Sequence, residues 1–336
     1  MNIVLTRLDR VGDLLLSTPA IASVRRSWPG AHVTLVCSRY NAVVVRHNLD
    51  IDALLALSED DAPAAVGRRY RGACDIAIAL APRVADFQLV GATRGRVRVG
   101  YTYVRRYVAR FTAGLYLTRL GISEADPELC ERHPARVVRH EVEQVLDLVR
   151  LAGGTQLVRE LVVTIDEADR AAVREVASDA ITLQLGERWF RDGSTYASMV
   201  ALVRDLRAFG LPVIVTYGTD AIEEAVALRA EGVADAVIGG LSFGQWAAVF
   251  EKSRVVVTVD TGATHLASAM RRPTVVLFEH RYFHLSSQEW SPYRVPSACV
   301  RKPGSEAAMA LAASRAALVG AVGELLHASI VAPDRV

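Results

Sequence analysis

Short apolar runs alternate with helix-like patterns along the chain. NIVLT (2–6), HVTLVC (32–37) and DIAIAL (75–80) are predicted as buried strands. PAIASVRRSW (19–28) is predicted as the first long helix, with Thr18 as its cap and Pro19 at the first position, where a missing N–H costs nothing. RHEVEQVLDLVRLAGG (139–154) is helical, with Gly153 and Gly154 as a stop. A second series follows: LVVTI (161–165), ITLQL (181–185), PVIVTY (212–217), ADAVIG (234–239), RVVVTV (254–259) and TVVLF (274–278) are strands. Helical patterns near 195–209, 220–231, 243–252 and 263–270 lie between them. Near-continuous Val/Ile/Leu strands between helices indicate parallel sheets covered on both faces. Two such series in 336 residues predict two doubly wound α/β domains, 1–160 and 161–305. A last helix rich in Ala and Leu (306–330) is expected to pack back on the first domain.

Composition narrows the partners. Hydrophobic residues make up 51% and charged residues 23%, which marks a globular chain. Lys+Arg is 39 against 37 Asp+Glu, so no global charge pulls the protein toward nucleic acid. Any anionic partner must meet a local basic patch. Cys37, Cys74, Cys130 and Cys299 are isolated, which predicts reduced thiols rather than a zinc or redox motif. The N-terminus does not read as a signal peptide, and no uncharged apolar run approaches the ~20 residues of a membrane span, so a cytoplasmic protein is expected.

In open α/β sheets, ligands sit beyond the carboxyl ends of the strands. Two stretches fall there. VDTGATHLASAM (259–270) ends a strand at Asp260 and opens a helix at Thr261 and Gly262. The first N–H groups of that helix have no internal partner and attract phosphate. Gly262 allows close backbone approach, Thr261 adds a hydroxyl, and His265 stands one turn in. A nucleotide diphosphate fits this set; alternatively Asp260 caps the helix and His265 is an interior side chain. TRLDRVGDLLLSTPA (6–20) carries Arg7, Asp9, Arg10, Gly12 and Asp13 after the first strand. An Asp at such a junction either caps the helix or serves as a general base. Spacing alone does not choose.

Together the two stretches resemble glycosyltransferase family 9, the ADP-heptose lipopolysaccharide heptosyltransferases. The shared residues are Arg7, Gly12-Asp13, Thr18-Pro19-Ala20 and Trp28-Pro29-Gly30-Ala31 at one end. At the other they are Asp260-Thr261-Gly262, His265, Ala269, Pro273 and Phe278. Weaker echoes are Arg98-Val99-Gly100-Tyr101 and His140-Glu141-Val142. The resemblance implies a GT-B architecture of two facing Rossmann-like domains, the first binding acceptor and the second the nucleotide sugar. It implies inverting, metal-independent transfer with Asp13 as base and no cofactor beyond the nucleotide sugar, an ADP-sugar. The Asp260–His265 motif would hold the diphosphate, Asp220 the ribose and Leu241 the adenine; a solvated helix start and a core Leu are the plain alternatives for the last two.

The chain departs from that pattern in places. The family's diphosphate lysine before a Trp is missing from LGERWFRDGSTY (185–196), where Gly186, Arg188 and Arg191 are the nearest substitutes and Glu187 would repel a diphosphate. Glu279 replaces a family glycine after Phe278, and His280 and His284 are four apart, a metal spacing without a third ligand. A basic segment (92–110) holds Arg94, Arg96, Arg105 and Arg106, suited with Arg7 and Arg10 to an anionic glycan or lipid acceptor. A lipid acceptor would bring peripheral contact with the inner membrane face. The alternatives are the same enzyme class with another nucleotide sugar and a protein or natural-product acceptor, and a non-catalytic nucleotide-sugar binder. A dinucleotide dehydrogenase is a poor reading, because no G-x-G-x-x-G follows a strand.

Overall fold

The structure is a computed structural model describing residues 1–191, 193–304 and 310–331. The chain divides into two units, Met1–Thr164 and Ile165–Val336. The first contains β1 (Asn2–Arg7), β2 (His32–Ser38), β3 (Ala53–Leu57), β4 (Ile76–Ala79), β5 (Val97–Tyr103) and β6 (Arg119–Ser123). The second contains β7 (Ala180–Leu185), β8 (Val213–Tyr217), β9 (Ala236–Ile238), β10 (Ser253–Val259), β11 (Thr274–Phe278) and β12 (Ser297–Arg301). The first sheet runs β3-β2-β1-β4-β5-β6 and the second β12-β11-β10-β7-β8-β9. All pairs are parallel. Read from its other side, the second sheet has the same winding as the first, the Rossmann order. Its direction reverses between β1 and β4 in one sheet and between β7 and β10 in the other.

The helix expected from Thr18 begins earlier, at Val11, and Pro19 lies inside it. A proline there removes the amide that would bond to the Leu15 carbonyl. The Thr18 hydroxyl donates to that carbonyl instead, at 2.7 Å, so the helix continues to Ser27. The run LVVTI (161–165) is not a strand. The amides of Gln156, Val158 and Val162 donate to the hydroxyls of Ser27, Ser23 and Thr18, at 3.0, 2.8 and 2.9 Å. The segment is extended because it lies along this helix, and its partners are helix side chains instead of a neighbouring strand. Gly153 ends the Glu141–Ala152 helix in the left-handed conformation (φ 103°), as its sequence suggests.

The last described helix, Ala310–Val331, packs against the Tyr196–Arg207 helix and against β10, β11 and β12. Leu311, Leu318 and Val322 join the second unit's core. The expectation was packing on the first unit; the contacts of the described helix are with its own unit, where it covers a face of the second sheet. Residues 306–309 of the expected helix lie outside the described residues. Over Ala310–Ala328 it is long and apolar enough to cross a membrane by length and composition. It nevertheless carries Arg315, which pairs with Asp205 at 3.1 Å, and its apolar side chains are spent on the core.

Candidate active site

Each sheet gathers charged side chains at its reversal point. In the first, Arg7 closes β1 and is only 1% exposed. Its Nε donates to Asp9 at 2.9 Å, its Nη1 to Glu141 at 2.9 Å and to the Leu80 carbonyl just past β4, and its Nη2 lies 3.2 Å from Asp13 Oδ1. Tyr101 on β5 donates to both Glu141 oxygens, at 2.9 and 3.0 Å. Asn41 fastens the loop by donating to the Arg7 carbonyl at 3.0 Å and the Asp9 carbonyl at 3.3 Å. One guanidinium thus faces three carboxylates. Burial disfavours its charge, but Asp9, Glu141 and Asp13 outweigh burial and hold it well above its ordinary proton affinity.

Asp13 sits in the first turn of the Val11–Ser27 helix, its side chain 16% exposed. Burial raises its proton affinity above the usual carboxylate range, and Asp9 adds to that, against Arg7, Arg10 and the Arg10 amide. The result is a fixed carboxylate that holds a proton more readily than a free one, which suits a general base. Arg7 was expected to grip an acceptor. Its burial leaves it no surface for one, and its contacts make it the residue that positions Asp13. Gly12 is buried beside it, and Arg10, exposed at the helix cap, does offer its charge to solvent.

A further carboxylate, Asp86, opens the next helix of this edge. It is fully buried and accepts from Thr6 at 2.9 Å through Oδ1, while Oδ2 has no partner among the described residues. Burial, and then Asp9, push its pKa up to about 7. Raised in the fold, this pKa makes the native state bind the proton first, so stability is lost as pH rises from about 4 to about 7. Asp86→Asn keeps the Thr6 bond and is expected to raise the urea midpoint more at pH 8 than at pH 5. Equal shifts at both pH values would show that Asp86 does not titrate in this range.

The basic segment is split by β5. Because the sheet is parallel, Arg94 and Arg96, which precede β5, lie at the amino edge, opposite the Asp13 edge. Their expected acceptor role is corrected on that ground. Arg105 and Arg106 follow β5 and share the carboxyl edge. Arg105 pairs with Asp126 at 3.3 Å and Glu128 at 3.1 Å, and Arg106 lies over the Tyr103 ring at 5.0 Å.

In the second unit, every donor-site residue expected from sequence lies at the carboxyl edge or one helical turn beyond it. Gly186 follows β7, and a Cβ on it would come within 3.1 Å of Asp220 Oδ2, which accepts from the Glu187 amide at 3.1 Å. Asp220, after β8, therefore ties down the Gly186 turn. Arg188 reaches from the β7 turn to β10, bonding the Asp260 carbonyl and lying 3.6 Å from Asp260 Oδ2. This pair bridges the reversal point, half-exposed on both sides. Leu241 is half-buried just before Ser242, which caps the Phe243–Glu251 helix with a full capping box.

Thr261 is the N-cap of the Gly262–Ala269 helix, yet no side chain caps it; its hydroxyl turns to the Val259 carbonyl at 3.3 Å. The helix opening keeps its amides for something else. His265 is buried, 4% exposed, with its ring 6.4 Å from that of Trp290. It sits closer to the interior reading than to an exposed anion grip.

The two unexplained acids find cations. Glu187 pairs with Arg191, four residues on. Glu279 accepts from the buried Lys302 at 2.9 Å, and the same ammonium donates to the Arg188 carbonyl at 2.9 Å. Lys302 lies just past β12 and was not singled out in the sequence. It neutralises Glu279 and steadies the turn that carries Arg188. His280 precedes the Phe283–Glu289 helix, so His280 and His284 do not share a helical face; His280 Nδ1 lies 3.2 Å from the Lys302 carbonyl. The four cysteines are free, and burial pushes the thiols of Cys74 and Cys299 up to about 11.

Two Rossmann-type units in one chain make a GT-B-like fold. The sequence profile of glycosyltransferase family 9 (heptosyltransferase) matches residues 128–313, more than half of the chain. The chain belongs to that family and is a glycosyltransferase. It is 22% identical over 287 residues to lipopolysaccharide heptosyltransferase 3 of Escherichia coli, covering 80% of each. A family 9 glycosyl transferase from Veillonella parvula superposes with a TM-score of 0.78 at 18% identity, over 98% of this chain and 97% of that one. The E. coli ADP-heptose lps heptosyltransferase II superposes at 0.72 and 15% identity, over 98% and 100%. At these identities the structural likenesses speak for the fold. The profile match takes in the whole second sheet but not Asp13.

Proposed function

We propose that the protein is an inverting, metal-independent transferase that moves heptose from ADP-heptose to a hydroxyl of an anionic lipopolysaccharide-core acceptor at the cytoplasmic side of the membrane. The observation that carries the reading is Asp13, a mostly buried carboxylate of raised proton affinity that keeps a small solvent-facing surface and is held by a buried arginine. In this reading Asp13 takes the acceptor proton as the hydroxyl attacks the anomeric carbon; the glycosidic bond forms as the bond to the diphosphate breaks. Negative charge then grows on the leaving diphosphate. Arg188 and the uncapped helix opening at Gly262 meet it with fixed donors. Asp220 accepts from the ribose and Leu241 covers the base. Arg10 and Arg106 are the cations left for an anionic acceptor. The E. coli relatives, a lipopolysaccharide heptosyltransferase and an ADP-heptose heptosyltransferase, support the choice of donor and acceptor.

Calorimetry with ADP, UDP and GDP tests the donor. ADP is expected to bind best, and Arg188→Ala to weaken it by about 10–100-fold, the worth of a charge-assisted hydrogen bond. Preference for UDP or GDP would discard the donor and keep the class. No binding of any nucleotide would overturn the transferase reading of this site.

A further inference from the structure

We propose that the helix Tyr107–Tyr116 docks the first unit onto an anionic lipid surface. This helix is packed the wrong way round for a solvated one. Ala113 is buried, and Tyr116 fits where Gly91 of the Val84–Thr93 helix has no side chain; a Cβ there would come within 2.7 Å of the Tyr116 ring. The opposite face carries Tyr107, Val108, Phe111 and Leu115, exposed by 71, 79, 73 and 66%. At 100° per residue these four fall within an arc of about 100°. No other helix among the described residues exposes four large apolar side chains. A contiguous apolar face of this kind marks an interaction site.

Charge selects the occupant. Between Phe87 and Ser123 the chain holds seven arginines and no Asp, Glu, Lys or His. Arg110 borders the apolar arc, and Arg106 is the cap residue just before the helix, its guanidinium over the Tyr103 ring at 5.0 Å. An apolar face with aromatic residues and an arginine border is the pattern of a helix that lies in the plane of a bilayer, its apolar side in the acyl boundary and its cations among anionic headgroups. The helix begins at the carboxyl edge of β5, the edge that also carries Asp13. Docking here would bring that edge to a membrane-embedded acceptor. The inference leans on the proposed acceptor for its purpose but not for its test.

The test is sedimentation of the full chain with vesicles that contain no acceptor, made of phosphatidylcholine alone or mixed with phosphatidylglycerol. Wild type is expected to bind the anionic vesicles at least about tenfold more strongly, with binding falling as salt rises. Phe111→Gln with Leu115→Gln is expected to cut that binding at least about tenfold, because both side chains are already in water and the fold loses nothing. ADP affinity, measured alongside, should not move. Absence of vesicle binding, or equal binding by the double variant, overturns the proposal. A concentration-dependent dimer that the double variant abolishes, without vesicle binding, overturns it too and gives the face to a second copy. Loss of the donor reading would instead appear as absent ADP binding with vesicle association intact.

Discussion

Asp13→Asn is expected to lower kcat by about 10²–10⁴-fold while ADP affinity stays unchanged, the range a positioned general base contributes. The same variant decides between the two readings that sequence spacing left open. An acid that only complements the helix dipole in the first turn, where Arg10 holds the cap position, would cost about 0.3–1 kcal/mol of stability when exchanged for the neutral amide. A carboxylate whose proton affinity is raised by burial and by Asp9 is already under electrostatic pressure, so the neutral isostere should leave the unfolding midpoint equal or higher. Turnover lost with stability kept identifies the base. Turnover kept within a few-fold would make Asp13 part of the helix start and leave the family's chemistry without its proton acceptor here. The comparison is clean because Asn keeps the shape of the side chain beside Arg7.

Arg7→Met is expected to destabilise the first unit by about 3–5 kcal/mol, the cost of leaving buried carboxylates without their cation. Glu141 is fully buried and Asp9 and Asp13 are only 15 and 16% exposed, so water replaces the guanidinium poorly. Urea denaturation with a fluorescent or circular-dichroism readout measures it. Arg7→Lys keeps the charge but loses the fork that reaches Asp9, Asp13, Glu141 and the Leu80 carbonyl together, so it should recover only part of the loss. A loss under about 1 kcal/mol for the Met variant would mean that the carboxylates relax or take up protons at little cost.

The central strands were legible from their Val/Ile/Leu runs, because a strand buried on both faces has little freedom in composition. β3, β6 and β12 were not, and all three are sheet edges: β3 and β12 are only partly buried, and β6 carries Arg119 and Gly121. β5 was hidden for another reason. Its arginines look like a ligand surface, yet Arg98 spends its guanidinium on the Tyr116 and Gly95 carbonyls. That the expected second-unit residues would gather at one sheet edge was legible, since each follows a strand end in sequence. The Arg7 network was not. Glu141 lies 134 residues from its partner, and a Glu opening a helix reads as an ordinary complement to the helix dipole. Lys302 was hidden likewise, as a charge at the end of an edge strand whose burial only the fold creates.

The Thr18 hydroxyl has two duties at once. It donates to Leu15, mending the gap left by Pro19, and accepts from Val162, holding the segment that leads toward the second unit. In mechanical terms Thr18-Pro19 is one joint, a gap and its brace, and not two separate residues. Exchanging Thr18 for valine would remove the bond to the Leu15 carbonyl and the anchor to the Val162 amide in a single step.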